Sequence, residues 1–303
     1  MQQLLGYELL PWEKFESIEG DAKAIETGVK AIRDAGYNAF EALAGTTLTN
    51  DYARRVLEFT EWRPGPAVRS DVELMARLSG LRRAAIENEL ALTTIFCEGE
   101  YINPATAELE FHQAVTIASF IHDAGGRHLL VDGGPRRRPE QRSADIRALA
   151  AAMERIGTAT RDLGVQLCFH PHIDTCVETA AEIEEFFNVA HSDLVALALD
   201  TAHYTVGGAD PALAMRRDGD RVKFIHLKDV QMPEPGQEAG FAGPARYDAF
   251  CDLGKGSVDL PAVWHEAQQR GFAGPVTVEL DATPDPAESA RVSRRFVHEV
   301  LGF

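Results

Sequence analysis

The chain has 303 residues, of which 45% are hydrophobic and 25% are charged, and its formal net charge is -17. These proportions are ordinary for a globular protein, and the length suits one large barrel or two ordinary domains. The negative charge argues against extended nucleic-acid binding, which needs a basic surface to displace counterions from phosphate. The first residues lack the features of a signal peptide, and no apolar stretch approaches the roughly 18 residues that a membrane span needs. We therefore expect a cytoplasmic protein that binds neither nucleic acid nor membrane.

Apolar runs and helical patterns alternate along nearly the whole chain, which predicts a parallel sheet with helical crossovers. In the first half the predicted strands read LLGYELL, NAFEAL, LALTTIFC and HLLVDGG. The helix after the first of them ends at Gly36, a typical C-terminal cap. Residues 46–79 break this rhythm, with the loop sequence RPGP near Pro64 and Pro66, and we expect an irregular insertion there.

Four further predicted strands carry LCFHPH, LALDTAH, FIHLKD and VTVEL. A long loop rich in proline and glycine, around residues 231–250, follows the third of these. Eight strand-helix units fit a chain of about 250 residues or more. We therefore predict that residues 1–303 form a single (β/α)8 TIM barrel domain. An open doubly wound sheet is the alternative, but it usually has a glycine-rich phosphate turn after the first strand, and LLPWEKF is not one.

Each strand of the second half ends in a residue that can bind a divalent metal. The carboxyl ends of the strands form the active site of a (β/α)8 barrel. Asp200, His226 and Glu279 close three of these strands. His170 and His172 share a face at the end of the remaining one, LCFHPH. Imidazole and carboxylate ligands suit Mn, Co, Zn or Fe(II) better than calcium. Such an ion polarises a carbonyl or hydroxyl group and stabilises the enolate left after loss of the adjacent proton.

Other polar or aromatic residues follow predicted strands, and each has a structural alternative. Lys228 shares a strand face with His226, so it lies either in the site or at the barrel mouth as a satisfied polar group. Glu98 and Glu100 are candidates for binding sugar hydroxyls, or else solvated loop carboxylates. Trp12 is either a stacking platform for an apolar sugar face or part of the rim packing.

Charged residues near other strand ends allow similar alternatives. Glu8 and Glu41 either orient the substrate or form ion pairs at the barrel end. The run Arg136, Arg137 and Arg138 follows the fourth strand, where it is either a clamp for a phosphate or carboxylate or a solvated charge run.

Five segments of the second half, in order, resemble the xylose-isomerase-like TIM-barrel superfamily of sugar phosphate isomerases and epimerases. They read FHPHIDTCVETAAEIEEFF, LDTAHYTVGGADP, FIHLKDV, DLGKGSVDL and VTVELD. The motifs HPHxxTxVET and DTAHYxxGGADP are most similar to those of the inosose-dehydratase-like branch. The resemblance implies one divalent ion, with Mn, Co, Zn, Mg and Fe(II) all open, and a small polyhydroxylated keto substrate. Homo-oligomers are common among such proteins.

The resemblance also implies roles for particular residues. Asp200, His226 and Glu279 match the second, third and fourth metal ligands of the family. The first ligand is usually a glutamate, and here its place falls on His170, with Glu178 of the VET motif as a candidate to compensate. His203 matches a position that contacts the carbonyl or hydroxyl group of the substrate in relatives. His172, Glu178, Glu98, Glu100 and Trp12 are further candidates for binding the substrate.

The loss of one carboxylate disfavours a two-base epimerase, whereas β-elimination needs only one base and one acid. We therefore expect a metal-dependent lyase of the inosose (2-keto-myo-inositol) dehydratase type, which removes water from a keto-cyclitol or keto-sugar through a metal-stabilised enolate. Glu279 or His170 is the expected base, and His203 or Lys228 assists the enolate or the leaving group. The alternatives are a metal-dependent sugar isomerase or ketose 3-epimerase, and a non-catalytic or partner-dependent sugar-binding barrel subunit.

Overall fold

A closed barrel of parallel strands is the centre of this computed structural model, which describes residues 3–13, 18–44, 71–136 and 139–303. Its strands are β1 (Leu5–Glu8), β2 (Ala39–Leu43), β3 (Ala91–Cys97), β4 (His128–Val131), β5 (Gln166–Phe169), β6 (Val195–Asp200) and β7 (Val222–Leu227). A short antiparallel hairpin, β8 (Asp229–Val230) with β9 (Phe250–Cys251), precedes the eighth barrel strand, β10 (Val276–Val278). Neighbours in sequence are neighbours in the barrel, and β10 pairs with β1 to close it. The predicted (β/α)8 TIM barrel is confirmed.

Helices connect the barrel strands, as the alternating pattern predicts. In the described ranges they are α1 (Ile18–Asp34), α2 (Asp71–Asn88), α3 (Ala107–Asp123), α4 (Arg142–Asp162), α5 (Ala180–Val189), α6 (Thr201–Val206), α7 (Pro211–Asp218), α8 (Pro244–Asp248), α9 (Leu260–Gln269) and α10 (Pro286–Phe296). Gly36 follows α1 with φ of 91°, a left-handed conformation that glycine adopts without steric cost. None of the helices in these ranges is both long enough and apolar enough to cross a bilayer.

The sequence predicts an irregular insertion at residues 46–79. Residues 46–70 of it lie outside the described residues. Residues 71–79 belong to α2, so this part of the predicted insertion is wrong. Leu74, Leu78 and Leu81 are buried on one face, with the spacing of a helix. Glycine is a poor helix former, so Gly80 argues against a helix in the sequence. In the structure Gly80 nevertheless lies within α2.

The inward-facing residues of the strands form two layers. Five residues of one buried apolar cluster lie deeper in the barrel: Leu130, Cys168, Ala196, Ala198 and Phe224. Since side chains alternate along a strand, the next inward positions are His170 after Cys168, Asp200 after Ala198 and His226 after Phe224. The apolar cluster is therefore a floor, and the polar residues lie above it at the carboxyl ends of the strands.

Asp229 anchors the loop that follows the hairpin. Its carboxylate accepts hydrogen bonds from the backbone N–H groups of Gly254 at 3.0 Å, Gly256 at 2.9 Å and Val258 at 3.1 Å. A Cβ atom on Gly256 would lie 2.2 Å from Asp229 Oδ1, so this close approach requires glycine. The motif DLGKGSVD therefore packs directly against the strand end that carries His226 and Lys228.

Candidate metal centre

His170, Asp200, His226 and Glu279 form a buried cluster at the carboxyl ends of β5, β6, β7 and β10. Each offers one ligand atom, and these atoms all lie within 4.8 Å of one another. The strand register explains the cluster, because Asp200 pairs with His226 across β6 and β7, and His226 pairs with Thr277, two residues before Glu279. The four residues predicted to bind metal thus lie side by side.

The donor atoms of the cluster converge on one point. His170 Nε2 lies 3.1 Å from His226 Nδ1, and Asp200 Oδ2 lies 3.8 Å from the first nitrogen and 3.9 Å from the second. Glu279 Oε2 contacts His226 Nδ1 as well. Two nitrogens and two oxygens at these separations surround a space suited to one small cation.

The unused hydrogen-bonding capacity of Asp200 fits a cation at this point. Asp200 Oδ1 accepts a hydrogen bond of 2.6 Å from the backbone N–H of His203 and so caps α6. Asp200 Oδ2 is fully buried, and it has no hydrogen-bond partner among the described residues. A buried carboxylate oxygen without a partner is costly, and a metal ion would satisfy it.

Glu41 fixes the orientation of the His226 ring. Its Oε2 accepts a hydrogen bond of 2.9 Å from His226 Nε2, and both side chains are buried. This bond leaves Nδ1 as the nitrogen that faces the cluster. Histidines that bind metals commonly donate their other ring N–H to a carboxylate in this way.

We expect the Glu41→Gln variant to bind a divalent metal about 10- to 100-fold more weakly, as is usual when the partner of a metal-binding histidine is removed. Titration with Mn²⁺ or Zn²⁺ in a calorimeter measures this change. The matched control is Glu110→Gln, since Glu110 is also a buried carboxylate but binds the backbone of residues 100 and 101. Equal metal affinity of Glu41→Gln and the wild type would contradict the assigned role.

The electrostatics of the cluster favour a proton at the place that a cation would occupy. Burial lowers the pKa of His226, but the carboxylates of Glu41 and Glu279 outweigh it and hold this pKa well above the usual value. Burial, together with the charge of Glu279, raises the pKa of Asp200 to about 7. Burial and the nearby His226 lower the pKa of His170 to about 3, so its ring is neutral.

We expect metal binding to release protons, and affinity to fall as the pH decreases from about 8 to about 6, because ligands must be deprotonated to bind. The raised pKa values mean that His226 and Asp200 hold protons in the metal-free protein near neutral pH, and a bound cation displaces them. Calorimetric titration in buffers of different ionisation enthalpy counts the released protons. An affinity that does not change across this pH range would refute the expectation.

Lys228 is the cation at the centre of the neighbouring polar cluster. Its Nζ donates to Glu279 Oε1 at 2.5 Å, to Asp281 Oδ1 at 2.5 Å and to His203 Nε2 at 3.1 Å. Burial lowers its pKa, but Asp281 and Glu279 outweigh this effect and raise the pKa above the usual value. Lys228 is therefore a fully buried, charged hydrogen-bond donor that links Glu279 to His203.

His172 and His203 form a second layer above the metal-compatible donors. Their ring centroids lie 3.8 Å apart, and the His170 ring lies 5.5 Å from that of His203. The Ile173 carbonyl can only accept, so His172 Nδ1 donates the 2.6 Å hydrogen bond between them, which leaves Nε2 unprotonated in the neutral ring. His203 Nε2 in turn accepts from Lys228. The predicted substrate-binding residues His172 and His203 thus lie directly beside the metal-compatible cluster.

The other residues predicted to bind the substrate have different surroundings. Trp12 packs edge-on against the Tyr7 ring, with centroids 5.8 Å apart, and joins the core between the barrel and the helices. Glu98 and Glu100 are buried after β3, where the Glu100 carboxylate accepts a hydrogen bond from the Asn103 side chain. None of these three is among the described residues that form the metal-compatible cluster, so their roles stay predictions.

Glu178 is held in ion pairs with arginines from two other loops. Its Oε2 lies 2.8 Å from Arg136, and its Oε1 contacts Arg246. It is not among the four described residues that form the metal-compatible cluster. Arg136 also contacts Glu182, so this arginine is engaged by carboxylates of the protein, while residues 137 and 138 lie outside the described part of the chain.

Two residues of the site, Asp281 and Phe250, were not among those expected from the sequence. Asp281 stands two positions after Glu279, so the alternation of strand residues points to it. Phe250 lies on β9, and its ring is 4.2 Å from Lys228 Nζ and 5.2 Å from the His203 ring centroid. No sequence pattern signals this position, because it depends on the hairpin with β8.

Known proteins with similar sequence or structure include sugar and cyclitol enzymes. An inosose dehydratase of Lacticaseibacillus casei is 31% identical over 160 residues, which make up 50% of this chain and 54% of that protein. The chain thus spans about half the length of this curated relative. The crystal structure of D-allulose 3-epimerase from Methylomonas sp. in complex with D-allulose has a TM-score of 0.70 and 18% identity, over 99% of this chain and 98% of that one. The IOLI protein with a binding zinc atom has a TM-score of 0.69 and 13% identity, with the same coverage.

At these identities the structural likeness shows the fold, and the assignment to a family depends on sequence. The family model for the xylose isomerase-like TIM barrel matches residues 29–300, which is most of the chain. The match includes all five segments on which the resemblance was based. This protein therefore belongs to the xylose isomerase-like TIM barrel family.

Proposed function

We propose that this protein is a divalent-metal-dependent lyase of the inosose dehydratase type, which eliminates water from a keto-cyclitol or related keto-sugar. The observation that carries the proposal is the buried cluster of His170, Asp200, His226 and Glu279, with Lys228 and His203 beside it. The similarity to inosose dehydratases supports the reaction class. Enzymes of a common fold differ in chemistry, so the proposed reaction depends mainly on the residues of the site.

The four side chains of the cluster are the proposed metal ligands. The unpartnered Asp200 Oδ2 and the His226 ring, oriented by Glu41, fit a cation, and the two nitrogen donors suit Mn, Co, Zn or Fe(II). A bound divalent ion would polarise the substrate carbonyl and stabilise the negative charge that develops on its oxygen.

Dehydration needs a base for the proton next to the carbonyl and an acid for the departing hydroxyl group. We assign the acid to Lys228 and His203, because the buried ammonium group donates directly to His203 Nε2 and can resupply a proton given to the hydroxyl. As the base takes the carbon-bound proton, the electron pair of the broken C–H bond becomes the π bond of the new C=C bond. The C–O bond breaks, the hydroxyl group takes a proton from the acid, and water and a conjugated ketone result.

Glu279 and His170 are the candidates for the base. Burial raises the pKa of Glu279, but Lys228 and His226 outweigh it and hold this pKa well below the usual value, so the carboxylate is ionised. His170 is neutral and its Nδ1 has no hydrogen-bond partner among the described residues. Either residue is in the protonation state that a base requires near neutral pH.

An assay with two substrate classes tests the proposal. The protein is incubated with 2-keto-myo-inositol and, separately, with ketoses, each with added Mn²⁺, Co²⁺ or Zn²⁺ and with a chelator. We expect a conjugated, ultraviolet-absorbing product from the keto-cyclitol only when metal is present. Stereochemical change in a ketose without dehydration of the cyclitol would contradict the proposal and favour the epimerase alternative.

A sugar isomerase or ketose 3-epimerase is the second candidate, because the fold is shared with D-allulose 3-epimerase. The position of His170 argues against it, since this ring replaces one carboxylate of the pair that a two-base epimerase uses. The non-catalytic alternative, a sugar-binding barrel subunit, predicts normal sugar binding with no turnover of either substrate class.

A further inference from the structure

Three loops at the barrel mouth meet at the carboxylate of Glu178. Arg136, after β4, lies 2.8 Å from Glu178 Oε2, and the backbone N–H of Asp174 donates to the same oxygen at 2.9 Å. Arg246, on α8, contacts Glu178 Oε1, and its Nη1 lies 3.2 Å from Asp174 Oδ1. The two oxygens of Glu178, which follows β5, therefore bind the segment after β4 and the segment between β8 and β9.

The ion pair between Arg246 and Glu178 differs from an ordinary surface salt bridge in its burial. The Glu178 side chain is 7% exposed and that of Arg246 is 13% exposed. Arg246 forms two hydrogen bonds, one with each of two carboxylates, which fixes the guanidinium group in place. Exposed pairs contribute little, whereas loss of one partner from a buried pair leaves an uncompensated charge.

The residues that follow Arg246 form one wall of the polar centre. The Tyr247 ring centroid lies 6.4 Å from that of His172, and the Phe250 ring covers Lys228 and His203. The two aromatic rings contact each other edge-on, with centroids 5.9 Å apart. We call Tyr247 and Phe250 the aromatic wall. Residues 234–240, which lead toward α8, are exposed, whereas Phe241 and Tyr247 pack against the apolar cluster that contains Phe250.

We propose that Arg246 is a positioning residue, which holds α8 and the Tyr247 side of the aromatic wall over the polar centre by its ion pairs with Glu178 and Asp174. The pairing of β9 with β8 holds the Phe250 side. The proposal rests on the proposed function, because the wall closes the pocket in which the keto-cyclitol would bind. Aromatic side chains present a flat apolar surface to a sugar ring and exclude water from the charges beneath them. In this proposal Glu178 binds Arg246 and so helps to hold α8 in place. The role expected from the sequence was a direct contact with the substrate.

The test compares Arg246→Gln, Glu178→Gln, the double variant and the conservative Arg246→Lys. The matched control is Arg216→Gln, because Arg216 pairs with Glu266 on the outside of the barrel. Hydrogen exchange of residues 241–251 reports on the wall without any substrate. Metal titration and urea unfolding report separately on the metal centre and on the barrel.

In Arg246→Gln we expect faster hydrogen exchange in residues 241–251, unchanged metal affinity, and a rise in KM of about 10- to 100-fold with a smaller change in kcat. Arg246→Lys should recover part of the loss, and the double variant should be no worse than the more impaired single variant. Unchanged exchange and KM in Arg246→Gln, or loss of metal binding or of the whole fold, would overturn the proposal. If the wild type does not act on a keto-cyclitol, the proposed function fails, while the exchange measurement still decides whether Arg246 holds the wall.

Discussion

Replacing Asp200 by asparagine is expected to remove the bound divalent ion and to lower kcat/KM for the keto-cyclitol by about 10³-fold, or roughly 4 kcal/mol. The change takes away one of two carboxylates in the cluster and leaves a neutral amide, which is a poor ligand. The amide oxygen can still accept the hydrogen bond from the His203 backbone, so the cap of α6 is retained. We therefore expect the fold and its stability to change little.

Metal content after dialysis and steady-state kinetics measure these effects. The matched control is Asp210→Asn, because Asp210 caps α7 through the same type of backbone contact but lies outside the cluster. That variant should keep both metal and activity. An Asp200→Asn protein that binds metal as tightly as the wild type would show that the cluster is not the metal site.

Replacing Lys228 by methionine is expected to destabilise the metal-free protein by about 3–5 kcal/mol, since a buried ion pair that loses one partner leaves uncompensated charge. Lys228 contacts Glu279 and Asp281 and is completely buried, so water cannot replace it. Loss of the proposed proton donor should also lower kcat by about 10²- to 10⁴-fold. Urea unfolding with a chelator present and kinetics with saturating metal separate the two effects.

Two further variants sharpen this prediction. Lys228→Met combined with Asp281→Asn removes one of the uncompensated charges, and it should recover part of the stability but none of the activity. Lys223→Met is the control on β7, the strand that Lys228 directly follows, because the Lys223 ammonium group lies at the surface and binds the Asp220 carbonyl. Similar stabilities of the Lys228→Met and Lys223→Met proteins would contradict the assigned role of Lys228.

The barrel could be predicted because its strands and helices follow simple periodicities. Buried parallel strands read as short apolar runs, and the carboxyl ends of such strands meet at one end of a barrel. The cluster of Asp200, His226 and Glu279 follows from these two rules alone. The choice between His170 and His172 did not follow, since both face the same way along the strand and only the position of each ring separates them. His170 approaches His226, whereas His172 stacks on His203.

Contacts between distant loops were beyond the sequence patterns. Glu178 stands in a motif that suggests a substrate contact, but its partners Arg136 and Arg246 lie 42 and 68 residues away. Phe250 lies on β9, which pairs with β8. Each of these strands has two residues, which is too short to show an alternating pattern. Trp12 packs on Tyr7 because the chain turns toward α1 immediately after β1. Such choices depend on tertiary packing, which local periodicity does not contain.

The neutral His170, at the position that we propose for the first metal ligand, distinguishes this site from a two-carboxylate epimerase. Its low pKa follows from burial and from the nearby His226, so it can bind a cation without first losing a proton. The proposed proton transfers then fall to Glu279 or His170 on one side and to Lys228 with His203 on the other. This asymmetry is the physical reason for preferring elimination over epimerisation.

Anomalous diffraction from a crystal soaked with Mn²⁺ or Zn²⁺ tests the proposed metal centre most directly. We predict one anomalous peak bonded, at about 2.0–2.3 Å, to a nitrogen of His170, a nitrogen of His226 and oxygens of Asp200 and Glu279. No peak among these four side chains at millimolar metal, or a peak bound elsewhere while they keep their metal-free contacts, would contradict the account.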